Sequence, residues 1–459
     1  MEPNSFRNHL SSSGSKLNRR DFIKGLGGIG ITPGLGSGLL AALSAQGIAS
    51  TNSGAESPIF VLIHQAGGND TLNTVIPIDT SDSSHYYQGR PQLALNESEA
   101  LPLQDGYGLH PQLSRLKQLW DDGNLAIVNG VGNPNPVLSH FRSQDIWEAA
   151  NFSTAPKSGW LGRYFDHACE ASGNFDSTIG LDIRPAASLA FSTESNEAAL
   201  TVQNPQFFDY LAASADLPTA PDIDDVFRRN FLSGLVDRGI STSGTLAYAT
   251  SSLRSALSGS NEVRSAFEVA AMDDSETPFP DGNLGNSLRN IARYISGGLT
   301  SSTYFLSQGG YDTHARQYIL DSAGRPLLGR HANLLGSLDS ALGAFSTEMK
   351  RQGSWDRVVV MVYSEFSRKI IENGNSGSDH GAAGSVFVMG GQVQQGFYGE
   401  YPSLAPENRI LNESMPMTTD FRQVYRTILE RWYGLDPVIA SQLLTVPVSE
   451  HPALNFLTP

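Results

Sequence analysis

Short apolar runs that break off into polar loops recur along the chain, separated by stripes of helical period. Val358 to Tyr363 is the clearest run, six apolar residues with valine at four positions. It follows Gly353 and predicts a strand buried on both faces. Beyond it the chain turns polar at Ser364, Glu365, Ser367 and Arg368. A Gly/Ser/Asn-rich loop then carries Ser378-Asp379-His380-Gly381, and Val386 to Met389 predicts another strand. The same plan appears three more times. Ile59 to Ile63 ends in His64-Gln65-Ala66-Gly67-Gly68-Asn69-Asp70, and Thr303 to Ser307 ends in Gly309-Gly310-Tyr311-Asp312-Thr313-His314. Leu125 to Val131 runs into Gly132-Asn133-Pro134-Asn135-Pro136, after which Ser139-His140-Phe141 opens a helix to about Ala149.

Between these runs lie the helices. Leu113, Leu116 and Leu119 share one face of 110–122. Residues 331–352 carry a stripe of Leu334, Leu335, Leu338, Leu342, Phe345 and Met349. In 419–433, Phe421, Val424, Tyr425, Ile428, Leu429 and Trp432 align, and Gly434 ends the helix. A short helix covers 159–170. From about 195 to 300 the pattern weakens to helical patches near 223–234, 262–272 and 285–297 between Ser, Gly and Asp-rich spacers, which predicts a helical insertion or cap. Strands alternating with helices predict an α/β domain over 58–459, with a mostly parallel central sheet flanked by helices on both faces.

The N-terminus changes the expected compartment. Asn18-Arg19-Arg20-Asp21-Phe22-Ile23-Lys24 resembles a twin-arginine export signal, with a glycine-rich, weakly apolar stretch behind it and small residues at Gly47-Ile48-Ala49. Residues 1–49 therefore read as a signal peptide and 50–57 as a polar linker, and the stretch is too interrupted by glycine for a stable membrane span. The expected location is periplasmic or extracellular, with the twin-arginine machinery as a transient partner. The full chain has a net charge of −15. Removing residues 1–49 takes away five Lys/Arg and two Asp/Glu, which makes it −15 − 3 = −18. So acidic a protein is repelled by nucleic acid and by anionic membranes, but metal ions can supply the local positive charge that anionic esters need. Cys169 is the single cysteine, which excludes a disulfide framework and a thiolate metal site.

In open α/β sheets ligands bind beyond the carboxyl ends of the strands, where the four polar loops lie. Carboxylates mixed with imidazoles suit zinc or a similar divalent ion. Ser139 stands at the expected start of a helix, where the dipole favours an alkoxide and free N–H groups hold an anion. Serine is also a common N-cap kept for stability alone.

The motifs GGNDTLN, SHF, GGYDTH, SEFSR and SDHG, in this order over about residues 58–435, resemble the DUF1501 family of exported bacterial proteins. That family is similar to the alkaline phosphatase/sulfatase superfamily, so the resemblance implies an alkaline phosphatase-like fold and one or two divalent metal ions, zinc foremost. It implies Asp70, Asp312, His314, Glu365 and His380 as metal ligands, with His140, His64 and Asp379 as substitutes, and Ser139, Arg368 and His140 as catalytic residues. Arg368 is expected to hold the ester's charged oxygens. Two departures stand out: the Asp-x-His spacing is tight, and Glu365 replaces the commoner Asp-His pair. The absence of Cys-x-Pro-x-Arg excludes the sulfatase route through an oxidised cysteine. The resulting expectation is an exported hydrolase of phosphate or sulfate esters using Ser139 or a metal-bound water. The alternative is a non-catalytic exported binding or assembly protein that keeps the fold.

Overall fold

A computed structural model describes residues 57–172, 178–184, 187–194, 200–202, 244–270, 272 and 276–458. Residues 1–49, expected as an export signal, the expected 50–57 linker apart from Ser57, and the expected helical patch near 223–234 lie outside the described residues. In chain order the strands are β1 (Ile59–Ala66), β2 (Val75–Pro77), β3 (Leu101–Pro102), β4 (Tyr107–Leu109), β5 (Leu125–Gly132), β6 (Gly180–Asp182), β7 (Leu200–Thr201), β8 (Thr303–Gly309), β9 (Val358–Tyr363), β10 (Arg368–Glu372), β11 (Ser378–His380), β12 (Gly384–Gly390), β13 (Gly396–Tyr398) and β14 (Thr419–Asp420). The helices are α1 (Ser83–Gly89), α2 (Ser114–Asp121), α3 (His140–Ala149), α4 (Trp160–Ser172), α5 (Gly244–Val269), α6 (Asn283–Ser296), α7 (Arg330–Arg351), α8 (Phe421–Thr427) and α9 (Pro437–Leu443).

The main sheet has the order β13-β5-β12-β9-β1-β8-β6-β7, with β14 also beside β5. It is mostly parallel. β1 pairs with β8 and β9 in that sense, while β12 runs antiparallel between β5 and β9. The carboxyl ends of β1, β5, β8 and β9 consequently share one edge. β10 and β11 form a hairpin there, and β2-β4-β3 make a small separate sheet.

Both faces of the main sheet are covered, and β9 shows how. Val358, Val360 and Val362 join the core cluster that includes Leu116, Leu288 and Leu338, from α2, α6 and α7. Val359, Met361 and Tyr363 join the opposite cluster with Trp147, Trp160 and Tyr425, from α3, α4 and α8. A strand sandwiched in this way needs apolar residues at every position, which is the origin of its unbroken run. Helix α6 buries Leu288, Ile291, Tyr294 and Ile295 in the same core as α7, so this end of the expected insertion belongs to the helical layer itself. No described helix is long and apolar enough to cross a membrane.

Candidate metal centre

Two glycines after β1 let the loops at the shared edge meet. Gly67 and Gly68 have φ of 118° and 73°. A Cβ on Gly67 would stand 2.4 Å from the backbone nitrogen of Asp312, and one on Gly68 2.5 Å from the Phe366 ring. Only glycine fits both the backbone angle and the space. Arg368 then ties the loops together from inside. It is fully buried, and its Nε donates to Gly68 O at 2.7 Å and its Nη1 to Ser378 O at 2.9 Å. Its Nη2 reaches Gly67 O, Tyr311 O at 2.9 Å and Asp312 Oδ1 at 2.8 Å.

Around Asp312 the imidazoles converge. Asp312 Oδ1 lies 3.2 Å from His314 Nε2, 3.2 Å from His380 Nε2 and 3.6 Å from His140 Nε2. The other nitrogen of each ring faces an oxygen. His140 Nδ1 is 2.7 Å from Glu365 Oε1, His314 Nδ1 is 2.9 Å from Asp379 Oδ1, and His380 Nδ1 is 3.0 Å from Leu138 O. Carboxylates and carbonyls only accept, so a proton on each Nδ1 satisfies these three contacts, and a ring in that tautomer turns a bare Nε2 inward. The contact of His380 Nε2 with Asp312 Oδ1 is instead satisfied by a proton on Nε2. His140 Nε2 is buried without a hydrogen-bond partner, and the Nε2 atoms of His314 and His380 are 2.9 Å apart. Bare lone pairs at that separation repel unless a cation joins them. The spacings from Asp312 Oδ1 to the three Nε2 atoms, 3.2 to 3.6 Å, lie near the edge of about 3.3 Å expected between ligands of a tetrahedral ion at 2.0–2.1 Å. His140, Asp312 and His380 form a group of possible ligands whose atoms lie within 4.8 Å of one another, and His314 adjoins them. A divalent ion fits the group of His140, Asp312 and His380.

The electrostatics follow from those contacts. Burial pushes the Glu365 carboxyl up, but bonds from His140 and His64 outweigh it and hold the group well below the usual carboxylate range. Gly67 N–H and His64 Nε2 complete its shell at 2.9 and 2.8 Å. For Asp312, burial is outweighed by Arg368 and His380, which bring it down to about 2. The bond from His314 lowers Asp379. Burial lowers His380, whereas the bond to Glu365 raises His140, so a proton competes with a cation for His140 Nε2.

Asp312, His314 and His380 come together, and His140 joins them as a donor. Glu365 and Asp379, expected as ligands, lie against Nδ1 of His140 and of His314, at 2.7 and 2.9 Å, where a carboxylate fixes ring orientation. Arg368, expected on an ester, has its donors engaged by four carbonyls and Asp312. Ser139 is exposed and extended (φ −119°, ψ 120°) at the N-cap of α3, but its hydroxyl makes no capping bond. Asp70 stands apart. It is fully buried, and its Oδ2 accepts from Arg90 Nη1 at 2.7 Å and from Gln317 Nε2. A carboxylate neutralised by a buried guanidinium braces the loop. Arg90, absent from the sequence reading, carried no local signal, since it lies 20 residues from its partner.

Beside Asp70 sit two buried imidazoles. His331 Nε2 is 2.9 Å from Asn69 Oδ1, and its ring is 5.9 Å from that of His110. Burial lowers His331 to about 4 and His110 to about 3, well under the ordinary 6.5. The unfolded chain therefore binds more protons between these values. The stabilising term is complete above pH 6.5 and is lost as pH falls toward 4, at roughly 2 kcal/mol per imidazole between pH 7 and 5. Asp182, which burial raises to about 6, works in the opposite sense and restores about 1 kcal/mol over that interval. Urea midpoints at pH 7 and 5 are expected to differ less for His331→Gln than for the native chain, and equal differences would contradict this account.

A family model described as "Protein of unknown function (DUF1501)" matches residues 127–444, more than half of the chain. The chain belongs to this family. The match takes in His140, Asp312, His314, Glu365, Arg368, Asp379 and His380 but not Asp70. No curated protein matches the sequence. Among solved structures, the DUF1501 chain is similar to a sulfatase from Pseudoalteromonas sp., at 9% identity, covering 88% of this chain and 72% of that one with a TM-score of 0.37. A phosphonate monoester hydrolase from Silicibacter pomeroyi shares 9% identity over 87% and 76%, with a TM-score of 0.33. For an alkaline phosphatase from the Antarctic bacterium TAB5 the values are 12%, 75% and 95%, and 0.29.

Proposed function

We propose that this DUF1501 chain is an exported, metal-dependent hydrolase of phosphate or sulfate esters, working outside the cytoplasm. One observation carries the reading: three Nε2 atoms, each with its Nδ1 engaged by an oxygen, converge on Asp312 Oδ1 at the carboxyl edge of the sheet. Asp312, His314, His380 and His140 would hold the ion, and zinc suits their mixture of imidazole and carboxylate. Bound there, it would supply Lewis-acid stabilisation of charge developing on the ester oxygens.

The chain's own groups do the rest. Glu365 and Asp379 keep His140 and His314 in the tautomer that points a lone pair inward. Arg368 holds Asp312 in place and balances its charge. The first-turn N–H groups of α3 have no intrahelical acceptors and can receive an anionic ester beside Ser139. The Ser139 hydroxyl, uncommitted to capping, is available to attack phosphorus or sulfur as the ester oxygen departs with a proton. The Asn18–Lys24 motif supports delivery by twin-arginine export to the periplasm or beyond.

A non-catalytic binding or assembly role is favoured by one feature, the burial of Arg368 with its bonds to four carbonyls and Asp312, which turns that guanidinium away from an incoming ester. The two readings separate when purified mature protein is analysed for metal and assayed on chromogenic phosphate and sulfate mono- and diesters. Metal at stoichiometry with turnover on an ester is the expected result. Stoichiometric metal with no turnover on any ester would favour the binding role.

A further inference from the structure

We infer that the site takes esters whose organic part is a planar aromatic ring, and that Phe141 is the surface on which that ring lies. This rests on the ester-hydrolase reading and adds a substrate class to it. Phe141 directly follows His140 and is two residues from Ser139, on the first turn of α3. Its side chain is 85% exposed. Among the described residues with exposed large apolar side chains it is the most exposed, and the only one bearing an aromatic ring.

The fold gives this ring no task. The apolar residues that α3 contributes to the core are Ile146, Trp147 and Ala149, all deeply buried, and Trp147 stacks on Tyr363 with centroids 4.9 Å apart. The Phe141 ring, on the turn that carries His140, offers apolar area that a ligand can cover. The inner wall of the centre is already aromatic. Phe366 is buried with its centroid 4.8 Å from that of His140 and 4.7 Å from that of His380. Val137, partly exposed on the loop leading into α3, adds an apolar residue on the approach. In this inference the anionic head of the ester reaches the imidazoles and its organic group extends past the first turn of α3, which carries both His140 and Phe141. A flat ring gains more from Phe141 there than an alkyl chain does, because offset stacking adds to the area covered.

The test is calorimetric titration of the metal-loaded full chain with two matched pairs, phenylphosphonate against methylphosphonate and benzenesulfonate against methanesulfonate. In the pair that the protein recognises, the phenyl compound is expected to bind about tenfold more tightly. Phe141→Ala should bring it down to the affinity of the methyl compound, and Phe141→Tyr should keep the preference. Equal binding of the two members by the native chain, or a preference surviving in Phe141→Ala, overturns the role of Phe141 and leaves the ester reading standing. If neither member of either pair binds the native chain, the ester reading fails and this inference with it.

Discussion

His380→Ala is expected to leave the purified protein unable to retain a divalent ion through gel filtration, with ester turnover lost along with it. The imidazole of His380 lies 3.2 Å from Asp312 Oδ1 and 2.9 Å from His314 Nε2, so removing it opens one side of the donor set. Asp312→Asn should do the same by another route, because an amide replaces the one anionic donor that faces the imidazoles. Asp379→Asn makes a graded comparison. It leaves the donors in place but weakens the acceptor for His314 Nδ1, and outer-shell losses of this kind lower metal affinity roughly 10–100-fold. Thermal melts provide a second readout. An ion at a thousand times its Kd stabilises the native state by about 4 kcal/mol, so added zinc should raise the melting temperature of the native chain and leave that of His380→Ala unmoved. Full metal content in both His380→Ala and Asp312→Asn would remove this donor set from consideration.

The framework of this centre could be read from the chain because burial leaves a compositional mark. Val358 to Tyr363 is apolar at every position since alternate residues feed opposite cores, and the polar break after it marks the strand's end at the sheet edge. The same mark located β1, β5 and β8, although β1 runs on through His64, Gln65 and Ala66 and β8 through Gln308 and Gly309. Direction leaves no such mark. Val386 to Met389 reads as a strand in either sense, and it runs antiparallel because the β10–β11 hairpin intervenes and returns the chain toward the opposite end of the sheet.

Within the site, residue type was legible and role was not. A strand-end carboxylate has the same sequence context whether it faces an ion or steadies a ring, and Glu365 and Asp379 lie against the Nδ1 atoms of His140 and His314. Asp70 seemed equivalent to Asp312, yet Arg90 engages the first while the second faces the imidazoles. Arg368 was identifiable as a cation at the edge. Its acceptors are mostly backbone carbonyls, Gly67, Gly68, Tyr311 and Ser378, which any sequence possesses. The same holds for Leu138, whose carbonyl lies against His380 Nδ1.

Ser139→Gly is expected to keep fold and metal content while ester turnover falls by several orders of magnitude, and it separates the two roles a serine can have at a helix start. As a cap, the hydroxyl would accept from an N–H of the first turn, and replacement by alanine would cost about 1 kcal/mol, by glycine only a few tenths. The backbone of Ser139 does occupy the N-cap, with its carbonyl accepting from Ser143 N at 2.8 Å, but its hydroxyl makes no capping bond. Ser139→Ala is accordingly expected to melt close to the native temperature, well short of a cap's full cost. The side chain is exposed, adjoins His140 in sequence and stands where the helix dipole favours an alkoxide. A nucleophile in that position is lost equally in Ala and Gly variants, because neither has an oxygen to attack with. A cap predicts the reverse: near-native activity for Gly and a measurable loss of stability for Ala. Turnover at the native rate in Ser139→Gly, on a substrate with a good leaving group, would assign the attack to water at the centre formed by Asp312, His140, His314 and His380.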